Sequence, residues 1–280
     1  AMPSHTGMAF KHLSVADGLS QMSVVSIVQD AEGYLWFGTR DGLNKYDGYE
    51  FKIYRNILGD SLSLSDNYIK AIEADGKNGL WIGTANGLNH YCPETDSFQR
   101  YYINEDRHTG NANEINSICV TGETVWIGTY HGLFKLEGAM LRPVEGFKNR
   151  IFDIAYSGDR LYVGHSSGLS VLSGNSIIKE IPAREGINII HAGKDGDVYA
   201  CFSDTGDFAR IDTADFSTTR HRLLGSPGKG FSMIKCLSET PDGQTLLFGT
   251  YDGLRAYVKS GSHGKTANGG REAEGLTHSA

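Results

Sequence analysis

Apolar and polar positions in this chain alternate in short runs, and no stretch keeps a helical period for long. One nine-residue unit recurs. It reads Leu35-Trp-Phe-Gly-Thr-Arg-Asp-Gly-Leu43, then Leu80-Trp-Ile-Gly-Thr-Ala-Asn-Gly-Leu88, then Val125-Trp-Ile-Gly-Thr-Tyr-His-Gly-Leu133. Leu161-Tyr-Val-Gly-His-Ser-Ser-Gly-Leu169 and Leu246-Leu-Phe-Gly-Thr-Tyr-Asp-Gly-Leu254 follow. A degenerate copy with one inserted residue runs over 198–208, with Cys201 where the others have glycine. The first glycines, or Cys201 in their place, stand at 38, 83, 128, 164, 201 and 249, so the period is 36–48 residues. All three tryptophans, Trp36, Trp81 and Trp126, hold the same place in the unit.

Each unit is the second of four predicted strands. An apolar first strand precedes it, at 24–28, 69–72, 115–120, 151–155, 187–191 and 234–237. The turn between them carries Gly33, Gly76, Gly122, Gly158, Gly196 or Gly243, residues suited to positive φ. A second turn uses Gly42, Gly87, Gly132, Gly168, Gly206 or Gly253, and the third strand follows it. Fourth strands are expected at 51–54, 98–101, 140–144, 177–181 and 216–219. Four short strands at this period predict an all-β fold, a β-propeller of four-stranded blades. The Trp and Leu rows are expected between blades, and the glycine after the Trp marks a close backbone approach.

The sixth repeat shows no fourth strand. Phe10-Lys-His-Leu13 resembles Phe98-Gln-Arg-Tyr101, so the N-terminal strand is expected to complete the last blade and close a six-bladed ring. The alternative is a seven-bladed ring cut short. Residues 1–9 read as a leader or tag, 10–258 as the propeller, and 259–280 as a disordered tail.

Composition narrows the function classes. Glycine is 36 of 280 but proline only 6, with no collagen period. A net charge of −7 argues against nucleic acid as a partner. No apolar run approaches the roughly 20 residues of a membrane helix, and the first residues hold no apolar signal-like stretch. Four cysteines are too few for a disulfide scaffold. Cys119 and Cys236 are expected to be buried in first strands, and Cys92 to lie at a turn.

The Leu-Trp-Ile-Gly-Thr-x-x-Gly-Leu-x-x-Tyr units resemble the two-component-regulator propeller family. So do the head, Phe10 to Ser20, the stretch from Ile27 to Trp36, and the Asp60-Ser-Leu-Ser-Leu-Ser-Asp-Asn67 link. The resemblance covers roughly residues 10–258. It implies a ligand-sensing propeller outside the inner membrane, in the periplasm. It further implies an oligosaccharide ligand, or neighbouring domains of a sensor kinase, as the partner, and a histidine kinase in a parent protein expected to be a homodimer. Any membrane contact would come through other parts of the parent. The family's first propeller usually has seven blades, where six repeats are visible here.

Three motifs suggest other chemistry, and each has a plainer reading. Gly164-His-Ser-Ser-Gly168 matches a nucleophile elbow, but occupies the repeat's own turn between strands. Lys259 to Thr266 ends like a phosphate loop without its first glycine. Asp195, Asp197, Asp204 and Asp207 offer carboxylates, yet lack the denser ligand ladder of a calcium loop. No zinc spacing occurs. No cofactor, metal or catalytic residue is expected.

The turns between second and third strands, and the links from one blade to the next, fall at one end of each sheet. They carry Arg40, Asp41, Asn86, Tyr130, His131, Ser166, Ser167, Tyr251 and Asp252, with Arg55, Asn56, Asn67, Asn104, Asp106 and Arg107 on the links. His165 lies in the turn equivalent to that of His131. Aromatic rings with planar polar groups suit sugar rings and hydroxyls. Arg40 suits an acidic sugar's carboxylate or sulfate. Protein docking at the same face is the alternative. The less expected enzyme reading needs two facing carboxylates, for which Asp41 and Asp252 are the one nameable pair.

Overall fold

The computed structural model describes residues 11–104, 111–223 and 233–259. Its strands fall into six antiparallel sheets in which sequence neighbours pair. Blade one holds β1 (Val24–Gln29), β2 (Leu35–Thr39), β3 (Gly42–Tyr46) and β4 (Phe51–Tyr54). Blade two holds β5 (Ile69–Ala74), β6 (Leu80–Thr84), β7 (Gly87–Cys92) and β8 (Ser97–Tyr101). Blade three holds β9 (Ile115–Thr121), β10 (Thr124–Thr129), β11 (Gly132–Glu137) and β12 (Met140–Pro143). Blade four holds β13 (Ile151–Ser157), β14 (Arg160–His165), β15 (Gly168–Ser173) and β16 (Ser176–Pro182). Blade five holds β17 (Ile187–Ala192), β18 (Val198–Phe202), β19 (Asp207–Ile211) and β20 (Thr218–Arg222). Blade six holds β21 (Ile234–Glu239), β22 (Thr245–Thr250) and β23 (Gly253–Val258). The fold is the six-bladed, all-β propeller that the repeats predict. The only helical element among the described residues is a 3₁₀ turn, Val15–Asp17.

The chain divides into two compact units, residues 1–100 and 101–280. In the first, the blade-one and blade-two sheets enclose Trp36, Leu43, Leu64, Ile69, Leu80, Ile82, Tyr91 and Phe98. Trp36 stacks on Tyr54 at 5.8 Å and packs on Tyr91 at 4.9 Å between ring centres. In the second unit, similar clusters lie between blades three and four, four and five, and five and six.

The repeat glycine is explained by contact. A Cβ on Gly38 would come within 2.6 Å of Ile69 Cγ2, and one on Gly128 within 2.7 Å of Ile151 Cγ2. Only hydrogen fits where the next blade's first strand crosses. The first strands carry a bulge near their start, as at Val24/Ser26 and Ile151/Asp153. The residue facing the repeat glycine then reaches the next blade. Ser26 Oγ accepts from the Ile72 amide at 3.2 Å, and Asp153 Oδ2 from the Ile190 amide at 2.8 Å.

Four expectations need correction. The N-terminal closing strand is absent among the described residues, where the sixth sheet has three strands. Lys11–Leu13 are irregular because their side chains engage blade one: Leu13 packs with Phe37, Tyr46 and Phe51, and Lys11 Nζ bonds the Tyr46 hydroxyl at 2.7 Å. Blade five's outer strand starts at Thr218, since Phe216 turns at φ 61° under the Arg160 guanidinium. In the degenerate turn of blade five, Asp204 takes the positive φ at 56° in place of Gly206. Cys236 is exposed, because β21 buries Ile234 and leaves the following residues open. Cys119 and Cys201 are buried and Cys92 half-buried. Lys259 is anchored, its Nζ 3.0 Å from Asp195 Oδ2 and bonded to Glu239. The rest of the tail lies outside the described residues.

Candidate functional site

The candidate turns are built by one side chain. Thr39 Oγ1 accepts from the Asp41 amide and donates to the Gly42 carbonyl, both at 3.0 Å. Thr84 does the same for Asn86 and Gly87, Thr129 for His131 and Gly132, and Thr250 for Asp252 and Gly253. The glycine closing each turn has φ of 115–128°, a region that L-residues rarely adopt. In blade four His165 replaces the threonine, and its Nδ1 accepts from the Ser167 amide at 3.2 Å.

That substitution settles the nucleophile-elbow segment. His165 is buried, and burial holds its imidazole below its ordinary pKa. With Nδ1 accepting, Nε2 donates to Ser170 Oγ at 2.9 Å, and the Ser170 hydroxyl donates to Glu180. The bonds thus tie His165 to the turn and to Ser170, as a structural stand-in for the threonine of the other blades. Ser166 and Ser167 are exposed at the turn.

Turns and links do meet at one end of the sheets. Arg55, on the link after β4, grips the Asp41 carboxylate at 2.9 and 3.3 Å. Asn149 Nδ2 bonds Ser167 Oγ at 3.1 Å. Asp41 is thus engaged within its own unit, while Asp252 belongs to the other. Asp106 and Arg107 lie outside the described residues. The carboxylates once weighed for calcium are also taken: Asp195 by Tyr199 and Lys259, Asp197 by Arg210, and Asp207 by Arg220 and Arg222. No group of three metal-ligating side chains occurs among the described residues.

A pattern that the sequence reading missed runs along this end: cations stacked on aromatic rings. The Arg40 guanidinium lies 5.3 Å from the Tyr68 ring centre. Arg150 lies 5.3 Å from Tyr130 and 5.0 Å from Phe152. Lys235 lies 4.5 Å from Tyr251. Tyr130 is 40% exposed, Tyr251 is 72% exposed, and the rings of Tyr130 and His131 meet edge-on at 5.3 Å. Arg150 Nε is buried without a hydrogen-bond partner. The signal was present: Arg150 directly precedes a first strand, as Tyr68 does in blade two.

In the second unit, a cleft of about 270 Å³ opens between blades four and five. Leu169, Pro182, Ile187 and Phe202 line it, with Glu185 and Arg220 among the polar groups. Arg220 already pairs with Asp207 at 2.8 Å and Glu185 at 3.2 Å, and its guanidinium covers the Phe202 ring at 4.0 Å. Its charges are mutually satisfied, so the cleft offers mainly apolar surface.

Comparison with known proteins agrees with these repeats. Residues 18–41 and 63–86 match the model of the family described as "Two component regulator propeller". Both stretches begin at a Leu-Ser pair of shared design. Ser20 and Ser65 amides donate to the buried Asn44 and Asn89 at 2.8 and 2.9 Å, and their hydroxyls bond Thr39 and Thr84. Blades three to five have Phe134, Ser170 and Ala209 at the asparagine's place. Histidine kinase P4 of Formosa agariphila is 57% identical over 61 residues, 22% of this chain and 4% of that protein. A protein described as the extracellular domain of a hybrid two component system from B. thetaiotaomicron superposes with a TM-score of 0.70 at 26% identity. The match covers 88% of this chain and 35% of that one. A virginiamycin B lyase from Staphylococcus aureus gives a TM-score of 0.67 at 11% identity, over 89% of this chain and 83% of the lyase. That last likeness is one of fold alone.

Proposed function

This chain is built from two component regulator propeller repeats, and on that premise we propose that it is a ligand-sensing propeller of a hybrid two-component system. The carrying observation is the likeness, over 88% of the chain, to the extracellular domain of such a system. The ligand class is acidic oligosaccharide, and the compartment is extracytoplasmic. The chain itself has no catalytic role; signalling passes to a kinase elsewhere in the parent. Chemistry within the second unit supports the ligand: Tyr130 and Tyr251 offer aromatic rings, while Arg150 and Lys235 offer charge to a carboxylate or sulfate. Arg150 carries the argument furthest, since its guanidinium lies against both Tyr130 and Phe152 beside the exposed turn.

Neutral, carboxylated and sulfated oligosaccharides titrated in a thermal-shift assay test the reading. At a hundredfold excess over Kd, a ligand adds about 2.7 kcal/mol of stability. Arg150→Ala is expected to weaken an acidic ligand about tenfold or more and to leave a neutral sugar's response unchanged. A flat response to the whole panel overturns the ligand assignment. A second reading, docking of a protein, is favoured by Ile57, Leu58 and Leu62, which stand exposed together on the link between blades one and two. A stable complex captured through that link, with no glycan response, would replace the first reading.

A further inference from the structure

Blade two departs from its neighbours at two positions, one on its third strand and one at that strand's end. In blades one and three, a lysine on the third strand lies over the tryptophan: Lys45 at 5.2 Å from Trp36, and Lys135 at 4.9 Å from Trp126. The first turn supplies an acceptor for the indole Nε1, Asp30 at 2.7 Å and Thr121 at 3.0 Å. Two residues past the lysine stands an acid, Asp47 or Glu137. In blade two these places hold His90 and Cys92, and the carboxylate of Asp75, at the place of Asp30, bonds the histidine.

The three side chains form a chain of contacts. Asp75 Oδ2 lies 2.9 Å from His90 Nε2, while Oδ1 accepts from the Lys77 and Gly79 amides at 2.8 and 3.0 Å. Partial burial works to raise the Asp75 pKa, but the His90 bond and the two amides outweigh it and hold the carboxyl below its ordinary value. The anionic acceptor makes Nε2 the protonated nitrogen, so Nδ1 carries the lone pair. Nδ1 faces Cys92 Sγ at 3.8 Å. His90 and Cys92 are two apart on β7 and share a face. Trp81 stacks on the imidazole at 4.3 Å and fixes its plane. Cys92 is half-buried, whereas Cys119 and Cys201 are closed to solvent. Exposed Cys236 serves as an internal reference.

We propose that Cys92, His90 and Asp75 form a thiol-exchange site that takes small-molecule disulfides. The Cys92 thiol proton passes to His90 Nδ1, and Asp75 stabilises the imidazolium. The sulfur attacks one sulfur of the disulfide; the new Cys92 S–S bond forms as the old one breaks. The leaving thiolate takes the proton back from His90. One mixed disulfide and one free thiol result, with no other oxidant.

The test is oxidised glutathione added to the whole chain, with adducts at each cysteine timed by mass spectrometry. Cys92 is expected to react about tenfold faster than Cys236 despite its lower exposure. His90→Gln keeps an amide that can donate to Asp75 and has no basic nitrogen for the thiol proton. That variant, and Asp75→Asn, are expected to slow Cys92 by about tenfold while the Cys236 rate in the same molecules stays fixed. Equal rates at the two cysteines overturn the proposal. So does a His90→Gln chain, with unchanged circular dichroism, in which Cys92 reacts as before.

Discussion

Asp153 allows a quantitative test of how the blades are joined. Its carboxylate accepts from the Ile154 amide at 2.9 Å and from Ile190 across the blade boundary at 2.8 Å. Desolvation outweighs both bonds and pushes its pKa up from 3.8 to about 7. The folded protein therefore holds a proton that the unfolded chain releases at about 3.8. Stability from this group is fullest below that value, falls through the window between the two, and is lost above about pH 7. The shift is about three units, worth a ceiling of ~4 kcal/mol at about 1.4 kcal/mol per unit, since the side chain keeps some contact with water. Asp153→Asn keeps an acceptor for Ile190 and has no proton to lose. Urea midpoints of both proteins at pH 5 and pH 8 isolate the effect, because every other titrating group is shared. The variant should gain about 2 to 3 kcal/mol on the wild type between the two pH values. A difference between the proteins that is the same at both pH values would refute the reasoning.

Two further expectations concern buried polar groups. Lys259→Met strips the cation from Glu239 and Asp195, whose pKa values are held below ordinary despite their burial. It should cost about 3 to 5 kcal/mol at neutral pH, with the deficit shrinking as acid protonates both carboxyls, measured as chemical denaturation at two pH values. Asn89→Ala leaves the Ser65 amide without its acceptor in a site with no solvent exposure. A loss of about 1 to 3 kcal/mol in thermal unfolding is expected, and an unchanged midpoint would show that water takes the asparagine's place.

Much of the fold is legible because each repeat states it again. Glycines at 33, 76, 122, 158, 196 and 243 all have positive φ, and the first strands begin where the apolar runs begin. Legibility ends where a residue's role depends on a neighbouring strand. Asp153 reads as a polar residue in a first strand, and only the approach of β17 reveals it as a clamp. Asn44 and Asn89 look like ordinary third-strand polar residues; their serine partners lie 24 positions upstream. Cys236 was misjudged for the same reason, since burial of a first strand comes from what packs on it. The placement of Tyr130, Ser166 and Tyr251 in turns between second and third strands was legible in the repeat. Arg150 was not, because its meaning comes from the Tyr130 and Phe152 rings that the fold brings to it.

The threonine-closed turn has a consequence for how such a protein changes over time. One hydroxyl and one glycine close the backbone of each turn, so closure does not depend on the side chains of the two intervening residues, although Asp41 also pairs with Arg55. Those pairs are Arg40-Asp41, Ala85-Asn86, Tyr130-His131 and Tyr251-Asp252. Substitutions there should leave folding nearly untouched, as exposed positions away from caps and cores usually do. Recognition can therefore drift blade by blade while the scaffold stays under strict selection, so that one repeat can serve many specificities.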